Sequence, residues 1–200
     1  FLATTEAPGA LPDRQHLQLL AQVLAKPEIA EHMTNAQYTA LGLVTIGYSR
    51  LYADSAAKAS LNSLDGKSVS VADTDTGFVR LVDTLRGRTR TADMPATVKT
   101  FTNELTEFMI APDISYLAMA NGRTGKETRG LAMPLGQSTL QLIGHSDRFP
   151  PGLAQILRED FLFKFNSYAR MLDKELGNIP TSFWINPSSA DMATLNENAQ

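Results

Sequence analysis

The chain has 200 residues, no cysteine and a formal charge of −3 at pH 7. The lack of cysteine excludes disulfides, thiolate metal sites and cysteine nucleophiles. The composition, 43% hydrophobic and 20% charged, indicates one domain with a sizeable core, and the acidic balance argues against one large basic surface for nucleic acid. No apolar run approaches the roughly 20 residues that cross a bilayer, so no membrane partner is expected.

The first twelve residues predict an extended arm, because prolines and a glycine interrupt any regular element. Asp13 then caps a helix whose apolar residues recur at helical spacing until Pro27 stops it. The apolar residues of the arm, which need a surface to pack on, are Phe1, Leu2 and Leu11.

Residues 35–60 predict a second helix, since apolar and aromatic side chains fall at three- and four-residue intervals. Gly42 and Gly47 allow a neighbour to approach closely, although glycines and β-branched residues are poor helix formers. Residues 62–76 change to a period of two after the turn dipeptide at Asp65, which predicts at most one short β-hairpin.

Further helices are predicted over residues 76–85 and from residue 95 toward Pro112. A basic connector at 86–91 separates them, and a polar loop follows at 121–130. Residues 131–143 fit a helix or a strand equally well, since proline and glycine interrupt the pattern.

The longest periodic stretch predicts a helix over residues 153–176. Proline is tolerated in its first turn, and Gly177 followed by Pro180 supplies its stop. Leu162 and Phe163 widen the apolar stripe beyond one face, so packing on two sides is expected. The sequence as a whole therefore predicts a mainly all-α fold, with an N-terminal arm (1–12), one helical core domain (13–177) and a C-terminal arm (178–200).

The motifs that resemble catalytic or metal sites are all incomplete. The glycine-rich loop before Gly130 lacks the first glycine and the hydroxyl residue of a phosphate-binding P-loop. The three histidines are too far apart in sequence for a typical zinc site. No catalytic residue, metal or cofactor is therefore predicted, and the chain is interpreted as a non-enzyme. A hydrolase that uses scattered residues stays open as an alternative; its candidate residues are Asp75, Ser138 and His145.

Basic residues cluster in two glycine-containing segments. Arginine suits phosphate oxygens, and a neighbouring glycine lets the backbone approach a ligand. These side chains are predicted to contact phosphates of single-stranded RNA without reading its sequence. They are Arg86, Arg88, Arg90, Arg123, Lys126 and Arg129.

The segment after residue 178 holds the only tryptophan, Trp184, between Phe183 and Ile185. Aromatic side chains of this size need a surface to pack on, either their own core or a neighbouring subunit. With Phe1, Leu2 and Leu11, these three residues are the predicted subunit contacts of a homo-oligomer. The favoured function is a self-assembling coat or nucleocapsid subunit, in a virion or the cytoplasm, and the alternative is a helical adaptor.

Overall fold

The computed structural model describes residues 7–11, 13–55, 59–119 and 127–198, and over these residues the fold is mixed α/β, with one sheet of seven strands. The predicted all-α fold is therefore wrong. The strands are β1 (Tyr38–Ala53), β2 (Ser68–Ala72), β3 (Arg88–Ala92), β4 (Phe108–Pro112), β5 (Arg129–Leu131), β6 (Gly136–His145) and β7 (Trp184–Ile185). The helices are α1 (Arg14–Leu24), α2 (Pro27–Ala30), α3 (Thr76–Thr84), α4 (Met94–Thr102), α5 (Ser115–Met119), α6 (Pro151–Leu176) and α7 (Ser189–Asn198).

The central strand is β1, in the stretch that was predicted to be a helix. Its first part pairs antiparallel with β6, and its last five residues pair antiparallel with β4. Near its end both Leu51 and Tyr52 are fully buried, on opposite faces of the sheet. A strand buried on both faces lacks clean alternation, and its β-branched residues favour an extended backbone.

The sheet order is β3-β2-β4-β1-β5-β7, and β6 pairs with β1 beside this path. The strands β2, β3 and β4 are parallel, so the predicted hairpin at 62–76 is wrong: β2 pairs with strands that follow α3 and α4. These two helices cover opposite faces. Phe78 of α3 packs in the cluster of Leu51, whereas Phe101 of α4 packs in the cluster of Tyr52.

The structure confirms two predicted helices: the long helix over residues 153–176, which is α6, and the first helix, α1, which Asp13 caps. In α1, the Asp13 side chain accepts a hydrogen bond from the His16 N–H at 3.0 Å, as expected of an N-cap. In α6, Phe165 is 1% exposed and packs with Leu17 of α1. Phe163, by contrast, is 87% exposed, so the expected packing on two sides is wrong at this position.

The segment after α6 returns to the sheet. There β7 pairs in parallel with β5, and α7 is anchored by Asp191, which is 1% exposed. Its carboxylate accepts hydrogen bonds from the Ser60 hydroxyl at 2.7 Å, the Leu61 N–H at 2.8 Å and the Ser188 hydroxyl at 2.6 Å. The predicted division into arms and core at residues 12 and 178 stays a prediction.

Asp191→Asn is expected to lower the free energy of unfolding by about 1–3 kcal/mol at neutral pH, because charge-assisted hydrogen bonds to a buried acceptor are weakened. Although burial acts to raise it, hydrogen bonds from Ser188 and Ser60 hold the pKa of Asp191 below its ordinary value of 3.8. The contribution is therefore present above pH 3.8 and is lost as the pH falls through the lower pKa of the folded state. Urea unfolding of both proteins at pH 7 and in a series of buffers below pH 3.8 measures this, and equal stability at pH 7 would contradict the anchor.

Candidate functional site

An aspartate follows each of the three parallel strands directly: Asp73 after β2, Asp93 after β3 and Asp113 after β4. The connections from β2 to β3 and from β3 to β4 run in opposite directions across the sheet. In open α/β sheets, ligands bind outside the carboxyl ends of the strands at such a switch point. Asp93 is used to cap α4 through the Ala96 N–H, whereas Asp113 lines a cleft.

This cleft has a volume of about 390 Å³. It lies where the carboxyl end of β4 meets β1, the end of α6 and β7, and we call it the Arg50 cleft. Its walls combine two arginines, two aspartates and two aromatic rings with small and apolar residues. The lining residues are Arg14, Gly47, Tyr48, Arg50, Asp113, Ala132, Asp173, Leu176, Ile179 and Trp184.

The Arg50 side chain is held on several sides. Its Nε donates to Asp113 Oδ1 at 2.5 Å, and its Nη1 donates to the Ala132 carbonyl. The guanidinium lies 4.8 Å from the centre of the Trp184 ring and 5.6 Å from that of Tyr48, both within cation–π range. Within the described residues, Nη2 has no hydrogen-bond partner. Arg50 is thus a positioned cation with one nitrogen left for a ligand.

Asp113 positions Arg50, and both of its carboxylate oxygens accept hydrogen bonds from the protein itself. Its side chain is 5% exposed, and its Oδ2 accepts from the Tyr48 N–H at 3.1 Å. Burial raises the pKa of Asp113 above its ordinary value of 3.8, and the charge of Arg50 and these hydrogen bonds oppose the rise. With both oxygens engaged, this carboxylate orients the arginine and leaves little capacity for a ligand.

Gly47 lets Asp113 come this close to β1. It sits at an irregularity in the pairing with β6, between Thr45 and Gly47, and has φ +102°. A Cβ at this position would lie 3.1 Å from Asp113 Cβ and 3.2 Å from its Oδ2. Both the backbone conformation and the contact favour glycine here.

A second ion pair lies at the same cleft. Both Nη atoms of Arg14 in α1 donate hydrogen bonds to the carboxylate of Asp173 in α6, at 2.7 and 2.6 Å. The Arg14 hydrogen bond lowers the pKa of Asp173 from its ordinary value, but the side chains are 29% and 53% exposed. Solvent screens such pairs, so this one ties α1 to α6 weakly. The charges of the lining therefore balance in two ion pairs.

Comparison with known proteins decides the family. A sequence model described as "Solute-binding protein AdeT 1/2" matches residues 1–197. The chain belongs to the AdeT 1/2 family of solute-binding proteins. The probable solute-binding protein AdeT2 of Acinetobacter baumannii is 19% identical over 188 residues, which are 94% of this chain and 79% of that protein.

Solved structures show the same fold as this AdeT-type chain. One is a TRAP periplasmic solute-binding protein from Desulfovibrio salexigens with bound orotic acid, at 13% identity and a TM-score of 0.78. Another is a TRAP periplasmic solute-binding protein from Pseudomonas aeruginosa with bound L-malate, at 11% identity and a TM-score of 0.74. The alignments cover 99% of this chain but 66% and 71% of those chains.

The family membership corrects the functional interpretation. A solute-binding protein is neither a coat subunit nor a helical adaptor, so both predicted functions are wrong. The predicted partners of the coat are wrong for the same reason; they were single-stranded RNA and further coat subunits. The predicted location in a virion or the cytoplasm is wrong as well.

None of the described helices is both long and apolar enough to cross a membrane.

The basic residues predicted to bind phosphate do not line the Arg50 cleft. Arg86 pairs with Asp65 at 2.6 Å, and Arg88 donates to the Gly66 carbonyl at 2.6 Å. Arg88 and Arg90 both lie on β3, and Arg129 is the first residue of β5. Three strands separate β3 from β5 in the sheet. In the part of the chain that the structure describes, these residues therefore form no continuous basic track. Two further members of the set, Arg123 and Lys126, lie outside the described residues.

The residues predicted as subunit contacts pack within the chain where they are described. Leu11 lies against the cluster of Leu17, Phe183 and Trp184 lie against the cluster of Tyr52, and Ile185 lies against the cluster of Leu51. Phe1 and Leu2 lie outside the described residues. A role of these six residues between subunits stays a prediction.

Metal binding has no support in the described residues, where no group of three or more histidine, aspartate and glutamate side chains could hold an ion. None of the four charged residues of the cleft was singled out from the sequence; they are Arg14, Arg50, Asp113 and Asp173. One signal was present, since Arg50 is the only charged residue between Tyr38 and Ala53. A charge inside an apolar strand needs a partner, and such a position marks a candidate site.

Proposed function

We propose that the chain binds a small organic acid in the Arg50 cleft, as the periplasmic solute-binding component of a transporter of the TRAP type. The observation that carries the proposal is the geometry of Arg50. Asp113 and the Ala132 carbonyl fix its guanidinium within cation–π distance of two aromatic rings, and Nη2 has no hydrogen-bond partner within the described residues. A fixed guanidinium binds a carboxylate with little further loss of side-chain freedom.

The chemistry of the cleft supports an acid of limited size. A volume of about 390 Å³ lies in the usual range for small-molecule sites. Trp184 and Tyr48 offer aromatic surface to the uncharged part of the solute, and Arg50 offers N–H groups to its carboxylate. The proteins of similar fold from Desulfovibrio salexigens and Pseudomonas aeruginosa hold orotic acid and L-malate, both carboxylic acids.

We further propose that the cleft binds its solute without changing it. The ionisable groups that line it, apart from the Tyr48 phenol, are two arginines and two aspartates in ion pairs. Among the described residues, the lining includes no serine, threonine, cysteine or histidine, so no aliphatic hydroxyl or thiol nucleophile stands beside a base there. Solute binding is also the role that the family description names. A place in the periplasm and delivery to a membrane component belong to the same proposal, and the periplasmic solute-binding proteins of similar fold support them.

Titration of the intrinsic fluorescence tests solute binding, because the only tryptophan, Trp184, lines the cleft. We expect a saturable change with at least one small acid from a panel that includes L-malate and malonate. The same acid should raise the melting temperature, since a ligand that binds only the folded state stabilises it. The diamide of that acid is the matched control and should leave the fluorescence unchanged. Saturation with neutral solutes alone would contradict an acid site.

A further inference from the structure

An arginine of α6, Arg158, is buried and has no acidic partner among the described residues. It is 8% exposed. Its Nε donates to the Ala40 carbonyl at 2.7 Å and its Nη2 donates to the Thr39 hydroxyl at 2.7 Å. No ion pair in the described part of the chain includes it, and Nη1 has no hydrogen-bond partner there. Buried charges in proteins are normally paired, so this uncompensated guanidinium needs an explanation.

Arg158 lines a cleft of about 490 Å³, which we call the Arg158 cleft. It shares no lining residue with the Arg50 cleft. Along α6, Arg158 is 15 residues from Asp173, which lines the Arg50 cleft, and this corresponds to about 22 Å at 1.5 Å per residue. The two clefts are therefore separate places on the molecule.

Gln155 gives the Arg158 cleft an acceptor as well as a donor. Its Nε2 donates to the Ala25 carbonyl at 2.7 Å and to Glu159 Oε1 at 2.8 Å. Both neighbours are acceptors, which fixes the orientation of the amide. Its Oε1 is then buried with no hydrogen-bond partner. An unpaired buried acceptor is costly, and a ligand hydroxyl would satisfy it.

The start of α6 adds a third feature. Phe149 and Ala154 line the cleft, and the N-cap residue between them, Pro150, makes no side-chain capping hydrogen bond. The positive end of this 26-residue helix therefore lies at the same cleft, where it favours a negative ligand. The helix end supports the site, and the buried Arg158 and Gln155 groups carry it.

We propose that the Arg158 cleft is a second ligand site, for a compact oxyanion that carries a hydroxyl group, such as a phosphate or a hydroxycarboxylate. The anion accepts from Arg158 Nη1, and its hydroxyl donates to Gln155 Oε1. Glu31 is the acidic residue of the lining, and its exposed carboxylate opposes the anion from the rim. The site is independent of acid binding in the Arg50 cleft.

Calorimetric titration of the full chain with inorganic phosphate tests the second site. We expect saturable binding of one phosphate, weakened at least tenfold by Arg158→Gln. Arg170→Gln, an exposed arginine on the same helix, is the matched control and should change the dissociation constant less than twofold. The double variant Arg50→Gln, Asp113→Asn, which leaves no orphaned buried carboxylate, should also leave phosphate binding within twofold, which separates the two clefts.

Glu31 provides variants that keep Arg158 and carry no risk to the core. Glu31→Gln should tighten phosphate binding by about twofold to fivefold, and Glu31→Lys should tighten it further, since like charge at the rim is removed and then reversed. If Arg158 were purely structural, phosphate binding would be the same in Glu31→Gln and Glu31→Lys as in the wild type. Absence of saturable binding, loss of phosphate binding in the folded double variant Arg50→Gln, Asp113→Asn, or no effect of the Glu31 variants would each overturn the second site.

Discussion

Arg50→Gln is expected to weaken binding of the organic acid by about a hundredfold. The glutamine keeps a polar side chain but removes the charge and the Nη2 donor that face the carboxylate. A hydrogen bond to a charged group contributes about 1.5–3 kcal/mol, and roughly 2.7 kcal/mol corresponds to a factor of one hundred in Kd. Calorimetric titration measures the change without relying on Trp184, whose fluorescence the substitution itself would alter.

Loss of binding must be separated from loss of structure, because Arg50→Gln leaves the buried Asp113 without its ion-pair partner. Breaking a buried pair at one end costs several kcal/mol. The double variant Arg50→Gln, Asp113→Asn removes the orphaned charge, so it should recover stability while still failing to bind the acid. Wild-type affinity in either variant would show that Arg50 does not hold the solute.

Phe165→Ala is expected to lower the free energy of unfolding by about 3–5 kcal/mol. Phe165 is 1% exposed and lies in the cluster that joins α1, β1 and α6, so the substitution leaves a cavity between three elements. Urea unfolding measures the loss. Because α6 also carries Asp173 of the Arg50 cleft, the melting temperature should fall by many degrees with little change in acid affinity below the transition.

Phe163→Ala is the matched control on the same helix. Phe163 is 87% exposed, so its truncation should change the free energy of unfolding by less than about 0.5 kcal/mol. Comparable losses in the two variants would contradict the burial of α6 on one face. The sequence alone predicted the helix but did not distinguish these two phenylalanines.

The helices with clear ends could be predicted from the sequence. In α6, apolar residues recur at helical spacing between a proline-rich start and Gly177, and in α1 Asp13 supplies the cap. These signals are local, because they depend on residues within a few positions of one another. They therefore remain readable when the rest of the fold is unknown.

The sheet could not be predicted, because its central strand was mistaken for a helix. In β1, residues such as Leu41, Val44 and Tyr48 fall at helical intervals, and apolar residues on both faces of the strand remove the apolar–polar alternation that identifies a strand. The β-branched run from Val44 to Ile46 argued for a strand, and the two glycines argued against a helix. Without β1 as a partner strand, the residues of β4 were assigned to a predicted helix and those of β3 to a connector.

The candidate site was missed for a related reason. Arg50 and Asp113 are 63 residues apart in sequence and meet because β1 pairs with β4. The prediction favoured arginines that cluster in sequence, and Arg88 and Arg90 lie on β3 at the end of the strand order. Charged side chains on an edge strand discourage pairing with other chains, which accounts for this part of the cluster without a ligand.

The most direct test of solute binding in the Arg50 cleft is a crystal structure of the protein grown with the acid that binds most tightly. The account predicts one acid molecule in the Arg50 cleft, with its carboxylate within about 3 Å of Arg50 Nη2 and its remaining atoms against Trp184 and Tyr48. An acid bound elsewhere, with Arg50 still engaged only by Asp113 and Ala132, would contradict it.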